Sequence, residues 1–281
     1  MSRVALLGAG PIGAAIAQRL AERSPARDIL LIDENTGIAQ GKALDILQSG
    51  PIDGSHARLT GASDPLAAAG ADVIVLADDT VKGAWDGDIG LQLIARLLRA
   101  GTNAPFVFAA PSQIPLMETA ARELHVPGNR LIGTAASAIE PIVASLVNIE
   151  SGRTGTTVSV TGRPPSITVA WSAATIGGEL LTDLVPAHRL LAISQSIARL
   201  WPPGPQAIAA PSARVIDALL YGSRQSLSAM TMLDGELGVR ARAGLLPLEL
   251  GSGRVLQRRV PALSPQEKTE TVTSLMKAGF S

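Results

Sequence analysis

The sequence predicts an α/β protein whose first half forms an open, doubly wound parallel sheet, and three observations indicate this. Four short apolar runs have the pattern of parallel strands buried on both faces; they span residues 4–7, 29–32, 73–77 and 106–109. Segments with a helical spacing of apolar residues lie between these runs. A glycine-rich turn joins the first strand to the first helix. Such an alternation of strands and helices is typical of βαβ units.

Two of the helical segments place an apolar side chain at every fourth position, so that each set lines one face of a helix. The first set is Ile12, Ile16 and Leu20, and the second set is Ile89, Leu93 and Leu97. Pro115 suits the first turn of a further helix, because the N–H groups of a first turn have no partner within the helix. We therefore assign residues 1–142 to one doubly wound domain.

Residues 143–281 are less regular, and we predict that they form a second domain of the α+β type. Strands are expected at residues 156–161, 166–170, 226–232, 238–249 and 254–260, and helices at residues 186–199 and 211–221. Ser264 and Glu267 have the spacing of a capping box, which predicts the start of a C-terminal helix.

The composition excludes several classes of function. Hydrophobic residues make up 46% of the 281 residues, which indicates a globular chain. Lys plus Arg and Asp plus Glu number 24 each, so charge gives no argument for binding nucleic acid or an anionic membrane. The absence of cysteine excludes disulfides, cysteine–zinc sites, iron–sulfur clusters and thiol nucleophiles. The three histidines, His56, His125 and His188, lack metal-ligand spacing.

The cellular location is inferred from two absences in the sequence. The first strand follows the N-terminus without the pattern of a signal peptide. No apolar run reaches the roughly 20 residues that a membrane-spanning helix needs. We therefore expect a soluble, cytoplasmic protein.

The turn at residues 8–13, which reads GAGPIG, carries the strongest functional signal. Gly8 would permit a tight turn, Gly10 would let the backbone approach a pyrophosphate, and Gly13 would let the helix pack against the strand. Pro11 and Ile12 complete the loop. The helix that begins here offers unpaired N–H groups and a positive dipole end to an anion.

Asp33 ends the second predicted strand, twenty residues after Gly13. Its carboxylate can accept hydrogen bonds from ribose hydroxyls and would repel a 2′-phosphate, which favours NAD over NADP. The loop and this acid together predict a Rossmann-type dinucleotide-binding domain with NAD as its cofactor. The alternative is a structural strand–helix turn followed by a surface acid.

From Gly8 onward the sequence resembles the lactate/malate dehydrogenase family, and more closely its malate branch. Four segments carry the resemblance: QGKALDI at residues 40–46, SGPIDG at 49–54, PGNRLIG at 127–133 and LDGELG at 233–238. The resemblance implies an NAD-binding domain followed by the family's α+β domain. It also implies a homodimer or higher homo-oligomer, because in that family the helix with the first segment packs across a dimer interface. As residues alone, Ile38, Leu44 and Leu47 form an apolar helix face that would equally suit a core.

The chain departs from the family's pattern at six positions that would hold the substrate or perform the chemistry. The family has two arginines in a mobile loop, an asparagine beside the nicotinamide, an aspartate that orients the catalytic histidine, an arginine that grips the substrate carboxylate, and the histidine itself. The collinear residues, in that order, are Val81, Gly87, Ala110, Ile139, Ile142 and Arg163. Glu140 is the nearest carboxylate, and a gap of one residue would bring it into the position of the aspartate. Arginine side chains stay protonated in proteins, so an arginine cannot shuttle a proton at neutral pH. We therefore expect no ordinary malate or lactate dehydrogenation.

Few other residues are candidates for catalysis or binding. Lys82 lies in the altered loop, and Arg163 would suit a small anionic ligand such as a carboxylate or a phosphate. Arg163 would equally suit an ion pair with a neighbour such as Glu140. Ser212 resembles a serine or threonine near the substrate in the family, but it would also suit a helix cap.

Three hypotheses of function follow from the sequence. The first is a degenerate homologue that binds NAD(H) and has a sensing or scaffolding role. The second is an NAD-dependent oxidoreductase with an unusual substrate and a rearranged active site. The third is a structural dimer that binds no nucleotide.

Overall fold

The first half of the chain alternates strands and helices, as predicted. The protein is represented by a computed structural model that describes residues 2–23, 28–54, 57–223 and 225–277. The elements of this half are β1 (Arg3–Leu7), α1 (Pro11–Arg23), β2 (Asp28–Ile32), α2 (Thr36–Asp53), β3 (Arg58–Ala62), β4 (Val73–Leu76), β5 (Asp78–Asp79), β6 (Gly83–Ala84), α3 (Gly87–Arg99), β7 (Phe106–Phe108), α4 (Ile114–Glu123), β8 (Leu131–Gly133) and α5 (Ile139–Ser151).

The second half mixes short strands, helices and one long antiparallel hairpin. Its elements are β9 (Thr156–Thr157), β10 (Val160–Arg163), β11 (Ser166–Val169), β12 (Thr175–Ile176), β13 (Glu179–Leu180), α6 (Leu181–Leu184), α7 (Ala187–Ile197), α8 (Pro205–Tyr221), β14 (Leu227–Asp234), β15 (Arg240–Gly251), β16 (Arg254–Arg258) and α9 (Pro265–Met276). Ser264 caps α9 in a capping box with Glu267, as predicted.

Within the described residues, eleven strands form one mixed sheet. Six parallel strands lie in the order β3-β2-β1-β4-β7-β8, and β14, β15, β10 and β11 continue the sheet in antiparallel fashion. The eleventh strand, β16, pairs with β15. Leu7 of β1 pairs with Ile32 of β2 and with Leu76 of β4. The segments that follow these three strands therefore begin side by side at one edge of the sheet, where open α/β sheets bind ligands.

The sheet separates two apolar clusters. Along β1, Ala5 and Leu7 belong to one cluster and Val4 and Leu6 to the other, and all four are fully buried. This alternation follows from strand geometry, in which successive side chains point to opposite faces. The burial of β1 on both faces fixes the position of the loop at its carboxyl end.

The structure corrects three details of the second half. Helix α8 begins at Pro205 rather than at residue 211, and Pro211 lies inside it. Ser212 is therefore buried within the helix and does not cap it. The predicted strand at residues 156–161 is divided into β9 and β10, and β10 extends through Arg163. The division into two domains between residues 142 and 143 stays a prediction; this position lies inside α5, and the large sheet includes strands from both sides of it.

Helix α2 exposes several apolar side chains. Leu44 is 55% exposed, Leu47 is 37% exposed and Ile52 is 89% exposed, so this face is not core. The dimer that the resemblance implies stays a prediction. Across the part of the chain that the structure describes, no helix has both the length and the apolar character needed to cross a membrane.

Candidate dinucleotide site

The glycine loop, residues 8–13, lies at the carboxyl end of β1 and leads into α1. Gly8 has a φ of 118°, a conformation that favours glycine. A Cβ on Gly8 would lie 2.4 Å from the carbonyl carbon of Asp78, and a Cβ on Gly13 would lie 2.0 Å from the carbonyl oxygen of Gly8. A side chain at either position would collide with backbone. The tight turn and the close packing of α1 on β1 therefore depend on these glycines.

The N–H groups at the start of α1 donate to a carboxylate of the chain itself. The Asp78 carboxylate accepts hydrogen bonds from the N–H of Ile12 at 3.1 Å and from the N–H of Gly13 at 2.8 Å. The N–H of Gly10 donates to the carbonyl oxygen of Asp78 at 2.8 Å. These are donors of the kind that bind phosphates at helix N-termini. Burial raises the pKa of the Asp78 carboxyl, and the negative charge of Asp33 adds to this effect.

Asp33, the predicted ribose acceptor, is fully buried and accepts several hydrogen bonds. Its donors are the N–H of Ala9 at 2.8 Å, the N–H of Asn35 at 3.0 Å, and both the N–H at 2.9 Å and the hydroxyl of Thr80. Burial alone would raise the pKa of the Asp33 carboxyl, but these hydrogen bonds together lower it below its ordinary value. The carboxylate is therefore held in its charged form by its own chain.

Residues 78–85 form a short hairpin, in which β5 pairs with β6, and we call them the hairpin segment. Asp79 is buried and accepts hydrogen bonds from the N–H groups of Glu34, Val81 and Lys82 at 2.9–3.0 Å. The candidate Lys82 forms an ion pair with Glu34 at 3.2 Å, and both side chains are exposed. The structure thus places Lys82 next to the segment that follows Asp33.

Trp85 anchors the end of the hairpin segment in the core. Its ring is buried, and its Nε1–H donates to the carbonyl oxygen of Leu7 at 2.9 Å. The Gln113 side chain donates to the carbonyl oxygens of Trp85 at 3.1 Å and Ala77 at 3.4 Å, and it accepts from the N–H of Ala110 at 3.0 Å. The segment is therefore fixed to the ends of β1, β4 and β7.

Arg163 lies apart from this loop, against α4 and β15. Its guanidinium forms a two-pronged ion pair with Glu118 and also donates to the carbonyl oxygen of Ala243 at 3.4 Å. Glu118 accepts from the N–H of Ala243 at 2.9 Å and lies 3.6 Å from Arg242. The partner of Arg163 is therefore Glu118 and not Glu140, and its positive charge faces a carboxylate of the chain rather than open solvent.

The sequence matches known proteins over nearly its whole length. Residues 2–83 match the family model described as "lactate/malate dehydrogenase, NAD binding domain". A malate dehydrogenase of Thermomicrobium roseum is 30% identical over 95% of this chain and 92% of its own length. The chain belongs to the lactate/malate dehydrogenase family. A malate dehydrogenase of Dehalococcoides mccartyi is 28% identical over 98% of this chain and 96% of its own length.

Solved structures show the same fold. A malate dehydrogenase from Salinibacter ruber has a TM-score of 0.85 and 24% identity, covering 97% of this chain and 93% of its own. A minor L-lactate dehydrogenase from Enterococcus mundtii has a TM-score of 0.85 and 20% identity, and the match covers 97% of this chain and 95% of that one. At these identities the likeness establishes the fold, which is Rossmann-like α/β with a mixed sheet.

The family match also confirms NAD as the cofactor. The matched residues, 2–83, include the glycine loop, Asp33 and most of the hairpin segment. The glycines keep the loop backbone clear of side chains, and Asp33 stands at the end of β2, so the residue types suit a dinucleotide. The conformation suits it less well, because Asp78 and Thr80 take the donors and the acceptor that a diphosphate and a ribose would use.

The six positions at which the sequence analysis predicts departures from the family's pattern are distributed between the surface and the core. Val81 is 65% exposed and lies in the hairpin segment, and Gly87 begins α3. Ala110 is buried at the end of β7, and Ile139 is fully buried in an apolar cluster. Ile142 on α5 is half-buried. The structure therefore does not gather charged side chains at these positions, apart from Arg163 with its partner Glu118.

The two histidines that the structure describes do not supply an alternative proton-transfer group. His125 is exposed in the turn before β8, and His188 is exposed in the first turn of α7. His56 lies outside the described residues. Across residues 2–23, 28–54, 57–223 and 225–277, no group of histidine, aspartate and glutamate side chains is arranged to hold a metal ion.

Sequence reasoning missed Asp78, Asp79 and Trp85, which hold the hairpin segment at the glycine loop. It also missed Glu118, which pairs with Arg163 apart from that loop. A signal for the first two was available, since two adjacent acids follow the apolar run of β4 at the edge where the glycine loop lies. No local signal marks Glu118, which meets Arg163 from 45 positions away in the sequence.

Glu140 is half-buried on α5, away from the glycine loop, and its environment predicts how the stability of the fold depends on pH. Burial raises the pKa of its carboxyl, although hydrogen bonds from the Ser228 hydroxyl and the Val160 N–H and the charge of Arg214 oppose this. The folded state therefore binds the proton more tightly than the unfolded state, whose ordinary pKa is 4.5. The contribution of Glu140 to stability must fall as the pH rises from below 4.5 through the raised folded value.

We expect Glu140→Gln to gain stability relative to the native chain as the pH rises from 4 to 8 in urea unfolding measurements (about pH 4, 5.5, 7 and 8 suffice). Glu150→Gln is the matched control, because Glu150 lies on the same helix and pairs with Arg189 at the surface. If the free energies of unfolding of Glu140→Gln and of the native chain differ by a constant amount over this pH range, the prediction is contradicted.

Proposed function

We propose that this chain is an NAD(H)-binding member of the lactate/malate dehydrogenase family that does not perform ordinary malate or lactate dehydrogenation and acts by sensing or scaffolding. The observation that carries the proposal is the buried ion pair between Arg163 and Glu118. By resemblance to the family, Arg163 stands where a histidine would move the proton. Its guanidinium is permanently charged, and its donors are taken up by a carboxylate and a carbonyl group.

The other positions support the same conclusion. Dehydrogenation of a 2-hydroxy acid needs a cation to hold the carboxylate, a donor to polarise the carbonyl and a group that moves a proton. Ile139, in the place of the family's aspartate, is fully buried among apolar side chains, and the side chain of Ala110 has no amide group. Loss of a positioned acid–base group alone costs about 10²–10⁴-fold in rate, and here the substrate-holding groups are absent from their positions as well.

The proposal retains NAD(H) because the features that serve the dinucleotide are intact. Gly8, Gly10 and Gly13 each stand where a Cβ would collide with the loop or its neighbours. Asp33 remains at the end of β2, ionised and ordered by hydrogen bonds. A bound NAD(H) would report on the redox state of the cell without being turned over, which is the chemical basis of a sensing role.

The test combines an activity assay with a binding measurement. We expect no oxidation of NADH above background with oxaloacetate or pyruvate, and measurable NADH binding by calorimetry at concentrations up to millimolar. The Thermomicrobium roseum malate dehydrogenase, assayed in parallel, serves as the positive control. Turnover of either acid would overturn the proposed loss of activity, and absence of any NADH binding would overturn the proposed binding role.

A further inference from the structure

We propose that the hairpin segment, residues 78–85, is a built-in mimic of the dinucleotide: it occupies the NAD(H) site with its own groups, and the cofactor binds only after the segment has moved away. The inference rests on the NAD(H) binding described above and adds to it a competitor within the chain. Asp78 stands in for the diphosphate and Thr80 stands in for a ribose hydroxyl.

The mimicry of the diphosphate is seen in the hydrogen bonds of Asp78. Its two carboxylate oxygens accept from two successive N–H groups at the start of α1, one each from Ile12 and Gly13. A diphosphate bound at a helix N-terminus would use these same donors and the same positive dipole end. An N–H group that already donates to a charged carboxylate is not available to a phosphate oxygen.

The Asp78 side chain would compete with a diphosphate for space as well as for hydrogen-bond donors. A Cβ built on Gly10 would lie 2.6 Å from the Asp78 Cγ and 2.6 Å from its Oδ2. The side chain of Asp78 therefore fills the space that a glycine at this position of the loop keeps open for a close approach to a pyrophosphate. The two groups exclude each other sterically.

The mimicry of the ribose is seen at Asp33. The Thr80 hydroxyl donates to one oxygen of this carboxylate and the Thr80 N–H donates to the other. A ribose hydroxyl would approach Asp33 as the same kind of donor. The hairpin segment thus provides a partner at both ends of the site: the Asp78 carboxylate at the start of α1, and the Thr80 hydroxyl at Asp33.

Electrostatics make the exclusion stronger. Asp33, Asp78 and Asp79 are three carboxylates held close together, and a diphosphate would add further negative charge. Burial and the charge of Asp33 raise the pKa of Asp78, which means that the environment disfavours its charged form. The N–H groups of Ile12 and Gly13 oppose this effect by donating hydrogen bonds to the carboxylate. These N–H groups cannot neutralise the carboxylate and a diphosphate together.

The part of the hairpin segment that precedes Trp85 has the features needed to leave the site while Trp85 stays in the core. Gly83 and Gly87 flank Trp85 and have positive φ angles of 73° and 52°, and such residues can absorb backbone rotation. The tip of the hairpin, Thr80 to Lys82, is exposed. When Asp78 and Thr80 withdraw, the segment would stay tethered by the buried ring of Trp85 at one end and by β4 at the other.

The first test is NADH titration of the native chain, of two variants of the hairpin segment and of one control variant. The apparent Kd of a protein whose binding-competent state is rare exceeds the intrinsic Kd by the inverse of the competent fraction. We expect Asp78→Ala to lower the Kd for NADH by about tenfold or more, because it removes two charge-assisted hydrogen bonds from the closed state. Thr80→Val removes the hydroxyl without changing charge, and we expect a smaller decrease in Kd. Asp88→Ala, which removes an exposed acid from the first turn of α3, should change the Kd by less than about twofold.

The second test uses the native chain and is independent of any variant's folding. On NADH binding, hydrogen exchange should accelerate at the N–H groups of Thr80 and Glu34, which lose Asp33 and Asp79 as partners. The N–H groups of Ile12 and Gly13 should stay protected, because they exchange one acceptor for another. Faster exchange at Thr80 and Glu34 on binding supports the inference, and unchanged exchange there overturns it.

The failure of this inference can be told apart from the failure of the proposed function. If the native chain and both variants bind NADH with equal Kd, and exchange of the hairpin segment does not change, NAD(H) binding stands and the mimic is rejected. If neither the native chain nor Asp78→Ala binds NADH, the binding role itself is rejected, and the mimic with it.

Discussion

Replacing Glu118 by alanine is expected to lower the free energy of unfolding by about 3–5 kcal/mol, since removal of one partner of a buried ion pair leaves the other charge uncompensated. The Arg163 side chain is 6% exposed and that of Glu118 is 11% exposed. The substitution also takes an acceptor from the N–H of Ala243 and a partner from Arg242. Urea unfolding at pH 7, followed by circular dichroism, measures the effect.

The matched control is an ion pair at the surface. Arg19 and Glu22 on α1 lie 3.0 Å apart, with side chains 46% and 30% exposed. Glu22→Ala should change the stability by no more than about 1 kcal/mol. If both substitutions lower the free energy of unfolding by the same small amount, the Arg163–Glu118 pair contributes no more to stability than an ion pair at the surface.

Replacing Trp85 by alanine is expected to lower the free energy of unfolding by about 3–5 kcal/mol, the usual cost of deleting a large buried ring. The ring is 5% exposed and belongs to the larger apolar network around β1, β4 and β7. The substitution also removes the Nε1–H bond to Leu7. Thermal and urea unfolding in the absence of nucleotide measure the effect.

Trp85→Phe separates the ring from its hydrogen bond. It should cost about 0.5–1.5 kcal/mol through the lost hydrogen bond plus a smaller packing loss, because the Leu7 carbonyl oxygen keeps the N–H of Ala77 as a donor at 2.9 Å. If the alanine variant proves no less stable than the phenylalanine variant, Trp85 does not anchor the hairpin segment.

The elements of the first half could be predicted because their signals are local. The parallel strands are short apolar runs, and the helices between them repeat apolar residues at a helical period, so neighbouring residues suffice. The same holds for the glycine loop, whose role follows from residue types at fixed spacing. Even the start of α9 is encoded within four residues, from Ser264 to Glu267.

The second half was predicted less accurately because proline and glycine occur inside helices and strands as well as at their ends. The predicted helix begins at residue 211, whereas Pro205 occupies the first turn of α8 and Pro211 is tolerated further along. The predicted strands leave out residues 162–165, whereas Gly162 pairs with Leu245 in the sheet. That pairing joins residues 83 positions apart, and no local pattern reveals it.

The candidate site divides in the same way. Its glycines and Asp33 were found from the sequence, but the hairpin segment was expected to be an altered substrate loop. In a sequence, adjacent acids such as Asp78 and Asp79 are typical of solvated loops. Only the structure shows that their carboxylates accept hydrogen bonds from backbone N–H groups, namely those of Ile12, Gly13 and Glu34. Which donor a carboxylate finds depends on tertiary contacts rather than on its neighbours in the chain.

The pairing of Asp78 with the start of α1 also bears on the lifetime of the protein in a cell. If the N–H groups of Ile12 and Gly13 relied on nucleotide for a partner, each shortage of nucleotide would leave them unpaired, at about 1–3 kcal/mol for each buried donor. In this chain they have an acceptor from the moment of folding. The unfolded fraction that proteases and chaperones encounter is thus set by the polypeptide itself, so the abundance of the protein need not follow swings in the supply of dinucleotide.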